Sequence, residues 1–443
     1  MPHSLNSTVS SPGPSPLTVL FAPAHVLVDE TQGGSEFHWP YKLIERLALD
    51  HGVRAIALLQ QSCIQHQLPG VQFLSVDSTG SLPRSNAERL RFHLHVYKTA
   101  RTILASGQPV DVVHHMLPFG FRTTFNLLAL CRHRADPPIV IGPLQPALSF
   151  ISNDERLFSV EDFSLAESLA PSPPFRRPTR PPLSTFITTP TLSALSSATL
   201  RRADALVATS EQAVNSYRPL IGPKRPVVIP VGVDTAVFTP PASRSGSGAI
   251  DTRPVTILAV GYLIRRKAFD ILIRAMGELA KAGIPAQLRI VGAGAARTSL
   301  ETLVRQLGIE QLVTFAGLIP HRSIVSEYHG ADIFCSPSLS EGFATVSLEA
   351  LACGLPIVAT PTGGFREVLK QRTVGTLVRF GDVEHLASAL AQLVVNRSLR
   401  ETLGRQARAL AVEEYDWSVI ARRYLTLYQG LTTSEGKRSI SLR

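Results

Sequence analysis

Apolar residues in this chain fall in short runs, each followed by a turn and then by a stretch of helical period. In the first half, Leu17 to Pro23, Val53 to Leu59, Val110 to His114, Ile139 to Gly142, Ala205 to Thr209 and Val227 to Val231 read as strands. In the second half, the runs are Val255 to Val260, Gln287 to Val291, Val313 to Ala316, Ile333 to Ser336 and Pro356 to Ala359. Between them lie a helix opened by Gly33-Gly34-Ser35-Glu36 and running to about His51, and a basic amphipathic helix from Arg84 to Ala105. Strands alternating with helices in this way build a parallel, doubly wound sheet. Two such series predict an α/β protein of two Rossmann-like domains facing a cleft, with ligands held beyond the carboxyl ends of the strands.

Proline, glycine and serine set the expected boundaries. Residues 1–16 are Ser- and Pro-rich with too little apolar surface to pack, and are expected to form a disordered tail. The first domain is read as 17–239, interrupted by a Pro/Arg-rich excursion at 151–190 whose proline clusters forbid a continuous helix. A Ser/Gly/Pro-rich linker follows at 240–252, then a second domain at 253–410. In 411–430, Trp417, Ile420, Ala421, Tyr424 and Leu427 recur at helical spacing, and 431–443 is a tail.

Composition narrows the class. A chain of 443 residues, 44% hydrophobic and 18% charged, reads as a soluble globular protein large enough for two cores. No apolar run reaches the roughly 18 residues needed to span a bilayer. Leu17 to Val28 has no basic residue before it and no small-residue cleavage site, so it reads as a first strand rather than a signal sequence. Cys63, Cys131, Cys335 and Cys353 lie far apart without C-x-x-C spacing, which suits free thiols in a reducing cytoplasm. The net charge of +10 attracts anions without choosing among them. No nucleic-acid module is present. The expected partners are therefore a phosphate-bearing acceptor or an anionic membrane surface, met peripherally on its inner face through Arg84 to Arg101 and Arg176 to Arg180.

The chemistry concentrates in Ser338 to Gly364. Glu341 and Glu349 stand seven residues apart, with the turn Gly342-Phe343-Ala344-Thr345 between them and Thr-Pro-Thr-Gly-Gly after the next strand. The turn opens a helix, whose first N–H groups have no partner within it and favour a phosphate or diphosphate. Carboxylates on either side of that site can accept hydrogen bonds from sugar hydroxyls, which describes a nucleotide-sugar pocket. The stretch resembles the donor-site signature of the retaining glycosyltransferases of family 4, which have the GT-B fold. The resemblance implies that Glu341 contacts the transferred hexose and Glu349 the ribose. At 344 the family usually has glycine. The contact there is through the backbone, so alanine serves if φ stays negative.

Other motifs follow the same resemblance, which covers 17 to about 430 and is most specific over 255–370. Gly261-Tyr262-Leu263-Ile264-Arg265-Arg266-Lys267 resembles the family's G-R-L-x-x-x-K-G, with Lys267 as the phosphate-binding lysine. Tyr262 replaces the family's arginine, Ala268 its glycine, and Arg265 or Arg266 can supply the missing charge. Gly292-Ala293-Gly294 would line the nucleotide base, and Gly33-Gly34 would approach the sugar and its phosphates. Asp111-Val112-Val113-His114-His115, with Gly142-Pro143 later, resembles a strand end from which one histidine assists at the anomeric side. Strand alternation lets only one of the two point inward. There is no D-x-D pair and no metal-ligand set around the histidines, so no metal and no other cofactor is expected. The implied reaction transfers a hexose from a UDP- or GDP-sugar to a hydroxyl of a sugar, lipid-linked or small-molecule acceptor, in glycan, glycolipid or cell-envelope polysaccharide synthesis. Lys267 and the amides near Ala344 would stabilise the departing diphosphate, and the last helix would cross back to the first domain. A sugar phosphorylase of the same fold, or a degenerate non-catalytic scaffold, are the alternatives.

Overall fold

The computed structural model describes residues 16–24, 27–28, 35–59, 62–63, 67–76, 86–116, 125–145, 183–242, 253–371 and 373–433. Gly33, Gly34, Arg176, Arg177, Arg180, most of the 151–190 and 240–252 segments, and nearly all of both tails lie outside those residues.

Fifteen strands are described. Those of the first half are β1 (Thr18–Phe21), β2 (Leu27–Val28), β3 (Arg54–Leu59), β4 (Ser62–Cys63), β5 (Val71–Ser75), β6 (Val112–His115), β7 (Ile139–Leu144), β8 (Ala205–Ala208) and β9 (Val227–Val228). The second half contributes β10 (Val255–Val260), β11 (Ala286–Val291), β12 (Val313–Gly317), β13 (Ile333–Ser336), β14 (Ile357–Ala359) and β15 (Gly375–Leu377). One sheet has seven strands in the order β5-β3-β1-β6-β7-β8-β9, and the other six in the order β12-β11-β10-β13-β14-β15. β2 and β4 form a separate short ladder. All of the pairings in the two large sheets are parallel.

The helices are α1 (Ser35–His51), α2 (Asn86–Ala105), α3 (Leu127–Leu130), α4 (Leu183–Arg202) and α5 (Glu211–Ile221) around the first sheet. Around the second are α6 (Phe269–Lys281), α7 (Arg297–Leu307), α8 (Val325–Gly330), α9 (Thr345–Ala352), α10 (Phe365–Gln371), α11 (Val383–Val395) and α12 (Arg397–Leu410), followed by α13 (Trp417–Thr432).

Alternation along the strands sorts the core into layers. Leu20, Ile56, Val113 and Ile141 pack with Phe92 and Tyr217 on one face of the first sheet. Ile257, Leu288 and Val358 pack with Leu272, Leu303 and Leu390 on one face of the second. The remaining faces share a single cluster, in which Val19, Phe21 and Leu47 of the first half join Leu258, Phe343, Leu351, Trp417 and Tyr424. That shared layer exists because α13 returns to the first sheet. Trp417 lies against Gly232, where a Cβ would come within 2.5 Å of the indole, and Tyr424 and Tyr428 pack on the His114 ring.

Two chain crossings tie the halves beside this helix. Val233 N–H donates to Tyr415 O at 2.8 Å, and Thr235 Oγ1 donates to Asp416 Oδ2 at 2.5 Å. The Arg408 guanidinium caps the carbonyls of Phe238, Thr235 and Ala352 at 2.8–3.0 Å.

Two features depart from the sequence reading. The edge strands β5 and β15 and the β2–β4 ladder were not expected. β5 and β15 are only half-buried, so their apolar signal is weak. The excursion was read to residue 190, yet α4 begins at Leu183 and runs through Pro190. One proline removes one helical hydrogen bond, and the rest of α4 is anchored by buried Ser196, Thr199 and Leu200.

Candidate active site

The two glutamates come from one loop-helix unit beyond the carboxyl end of β13. Glu341 precedes α9 and Glu349 lies inside it; both side chains are buried, at 5% and 4% exposure. A buried carboxylate is costly unless it is matched, and each is matched differently. Glu341 receives Lys267 Nζ at 2.8 Å on Oε1 and Arg266 Nη1 at 3.2 Å on Oε2. Burial pushes the Glu341 carboxyl up, but the charges of Lys267 and Arg266 and the hydrogen bonds from Lys267 and Ser338 outweigh it and hold it below the usual range. Glu341 is therefore a carboxylate at neutral pH, inside a cluster with two cations to one anion.

Glu349 accepts from Tyr328 Oη at 2.6 Å on Oε2, and its Oε1 lies 3.2 Å from His321 Nε2. Burial, then the Glu349 charge, keep the Tyr328 phenol protonated well above its ordinary range, so it remains a donor. A carboxylate oxygen has a second lone pair, so Glu349 keeps acceptor capacity for a ligand hydroxyl. Neither His321 nor Tyr328 stood out in the sequence. They come from the segment after β12 and make no motif with the glutamates.

The loop after β10 is the other wall. Arg265–Lys267 form a single 3-10 turn, and Arg266 ties it to the glutamate loop twice. Its guanidinium donates to Ser340 O at 2.7 Å, and its carbonyl accepts from Leu339 N–H at 2.8 Å. Tyr262 is 41% exposed. Gly292, at the end of β11, has φ +142° and lies directly on Gly261: a Cβ there would stand 1.9 Å from the Gly261 carbonyl oxygen. The Gly363-Gly364 pair closes on the glutamate loop in the same manner, since a Cβ on Gly364 would meet the Phe343 ring at 2.4 Å. Ala344 has φ −73°, the negative value that alanine requires. Phe343 and Ala344 are buried, and Thr345 is the first residue of α9.

Ala268, in contrast, has φ +49°, a left-handed conformation that costs an L-residue about 1–2 kcal/mol. Ala268→Gly should raise stability by about 0.5–1 kcal/mol, less than the full strain because glycine loses more chain entropy. A thermal melt checks this, and an equal fall in stability would show that the buried methyl contributes more than the strain costs.

The paired histidines point to opposite faces of the first sheet, as alternation requires. His114 Nδ1 lies 2.7 Å from Tyr428 Oη and Nε2 lies 3.2 Å from Gly142 O. Burial pulls its pKa down to about 3, against a small opposing effect of the Gly142 hydrogen bond. The ring is therefore neutral, with Nε2–H donating to Gly142 O and Nδ1 accepting from the tyrosine. His115 Nδ1 lies 2.9 Å from Asn126 Nδ2, and its ring stacks near His93 of α2. Their contacts lie within the first domain and with α13. Glu341, Arg266 and Lys267 form one cluster, and Glu349 stands on the same helix unit.

Among the described residues no group of three or more His, Cys, Asp or Glu could hold a metal, and no helix is long and apolar enough to cross a membrane.

Two parallel sheets facing a cleft, with the last helix crossing back to the first, define the GT-B class. Over 94% of this chain the structure superposes on 99% of a sucrose-phosphate synthase from Thermosynechococcus elongatus, with a TM-score of 0.65 and 21% identity. Residues 244–410 match the family of glycosyl transferases group 1. The chain is also similar to D-inositol 3-phosphate glycosyltransferase of Kribbella flavida, 31% identical over 52% of this chain and 57% of that one. It is 34% identical to a GDP-mannose-dependent monoacylated alpha-(1-6)-phosphatidylinositol monomannoside mannosyltransferase of Corynebacterium glutamicum, over 45% of this chain and 55% of that one. The chain thus spans little more than half the length of these curated relatives.

Proposed function

We propose that the protein is a retaining glycosyltransferase that moves a hexose from a nucleotide-diphosphate sugar to a hydroxyl of a glycolipid or glycan acceptor. The observation that carries this reading is the cluster at α9. Buried Glu341 meets Lys267 and Arg266 from the neighbouring strand loop, while Glu349 lies just over one turn into α9 on the same loop-helix unit. Two cations against one carboxylate leave surplus positive charge in a partly dehydrated pocket, which suits a diphosphate. The first-turn amides of α9 add donors where negative charge develops on the leaving group. Glu341 would orient the hexose, and Glu349 the ribose. The Corynebacterium relative's description as GDP-mannose-dependent supports testing GDP-sugars first. The names of both curated relatives support a phosphate-bearing acceptor, in keeping with the +10 net charge.

The test is a thermal-shift and turnover screen against UDP-, GDP- and ADP-sugars, with Glu349→Ala beside the wild type. One nucleotide should stabilise the wild type, and the variant should lose about tenfold or more in affinity, as expected for one charge-assisted hydrogen bond of about 1.5–3 kcal/mol. Wild-type affinity in the variant would remove Glu349 from the donor site.

A further inference from the structure

Across the cleft from Glu341 stands a side chain that none of the motifs contains. Gln145 follows β7 directly and is carried by the first sheet, yet its Oε1 would lie 3.0 Å from a Cβ placed on Gly342 of the second half, the residue between Glu341 and Phe343. Among the described residues, chain neighbours of Gly342 aside, the only atoms within 4 Å of that position belong to the same carboxamide, whose Cδ lies at 3.7 Å.

Gln145 is held there by an unusually constrained strand end. The Gly142 carbonyl takes the His114 Nε2–H, and Gly142 packs so closely on β8 that a Cβ would stand 2.5 Å from the Val207 carbonyl oxygen. The Leu144 carbonyl accepts the Thr209 N–H at 2.9 Å and the Thr209 hydroxyl at 3.3 Å. His114 is in turn fixed by Tyr428 of the crossing helix. The end of β7 is therefore locked from both neighbouring strands and from α13, and the next residue reaches over the loop that carries Glu341. Another contact also joins the halves, where the Glu211 N–H at the start of α5 donates to Glu367 Oε1 of α10 at 2.8 Å.

We propose that Gln145 is a positioning residue for the transfer. Its carboxamide rests on the Gly342 backbone and sets the distance between the acceptor-side domain and the sugar held by Glu341. This deepens the reading of the site given above and rests on it. A group on the first domain that bears on the donor loop acts on the transfer step more than on nucleotide affinity, because the diphosphate contacts proposed above for Lys267, Arg266 and the start of α9 belong to the second domain. Misplacement of reacting groups by about 1 Å costs on the order of 10²-fold in rate.

The experiment measures three quantities on wild type, Gln145→Ala, Gly342→Ala and the double variant: nucleoside diphosphate affinity, kcat and KM for the donor, and the melting temperature. Gln145→Ala should leave nucleoside diphosphate affinity within about twofold and lower kcat about 10–100-fold. Gly342→Ala should lower kcat several-fold by pushing the carboxamide away, and the double variant should be no worse than Gln145→Ala alone, because the carboxamide that the added methyl would displace is then gone. A kcat within twofold of wild type in folded Gln145→Ala, or additive losses in the double variant, would overturn the proposal. Failure of the wild type to bind any nucleoside diphosphate would instead overturn the reading of the site on which it rests.

Discussion

Glu341→Ala should lower sugar transfer by about 10²–10³-fold, the size of effect seen when one preorganised polar group is removed from a reacting centre. The reason lies in what surrounds the carboxylate. Lys267 at 2.8 Å and Arg266 at 3.2 Å converge on it, and its own exposure is 5%. Without it, two cations face each other in a partly buried loop. The variant should therefore also lose about 3 kcal/mol of stability, since breaking one partner out of a buried ion pair leaves uncompensated charge. Glu341→Gln separates the two effects. It keeps the shape and one acceptor oxygen, so it should melt closer to the wild type while remaining strongly impaired in transfer. Turnover and thermal melts on the three proteins check this, and transfer by Glu341→Ala within threefold of wild type would remove Glu341 from the chemistry.

Gly292→Ala should cost about 3 kcal/mol or more, among the largest effects of any single methyl in the chain. The added carbon would sit 1.9 Å from the Gly261 carbonyl oxygen and 2.8 Å from its carbon, and the backbone is at φ +142°, where an L-residue is strained. Backbone cannot swing aside as a side chain can, so the ends of β10 and β11 must part. Gly261 in turn packs under the Lys267 side chain, where a Cβ would lie 3.0 Å from Cε, so separation of the two turns moves the lysine as well. The variant should combine a lowered melting temperature with weaker nucleotide binding. A melt within 1 kcal/mol of wild type in stability would show that the two turns are not in contact in solution.

The residues differ in how much of their placement could be read from the sequence. The positions of Glu341, Glu349 and Lys267 could be read because each sits in a local pattern, a strand followed by a Gly-containing turn and a helix start, and such patterns survive without knowledge of the fold. The strands β10 and β13 were legible in full because largely buried parallel strands read as near-continuous apolar runs. The partners of Glu349 were not legible: His321 and Tyr328 reach it from 28 and 21 residues away and carry no motif. Gln145 was invisible for the same reason, lying 197 positions from Gly342 and on the other sheet. The histidine pair was legible as a strand end, but its surroundings depended on a helix more than 300 residues later, since Tyr428 is what meets His114. Ala268 shows a limit of another kind. Its departure from the family's glycine was evident, but only the φ of +49° shows that the fold keeps the glycine-like conformation and bears the strain.

We propose a diphosphate site between the β10 loop and the start of α9. Calorimetric titration of the wild type and Lys267→Met with UDP and GDP tests it most directly. One nucleotide should bind the wild type at least tenfold more tightly than the variant, since one charge-assisted contact of about 1.5–3 kcal/mol is lost. Equal binding by the two folded proteins, or none by the wild type, would contradict it.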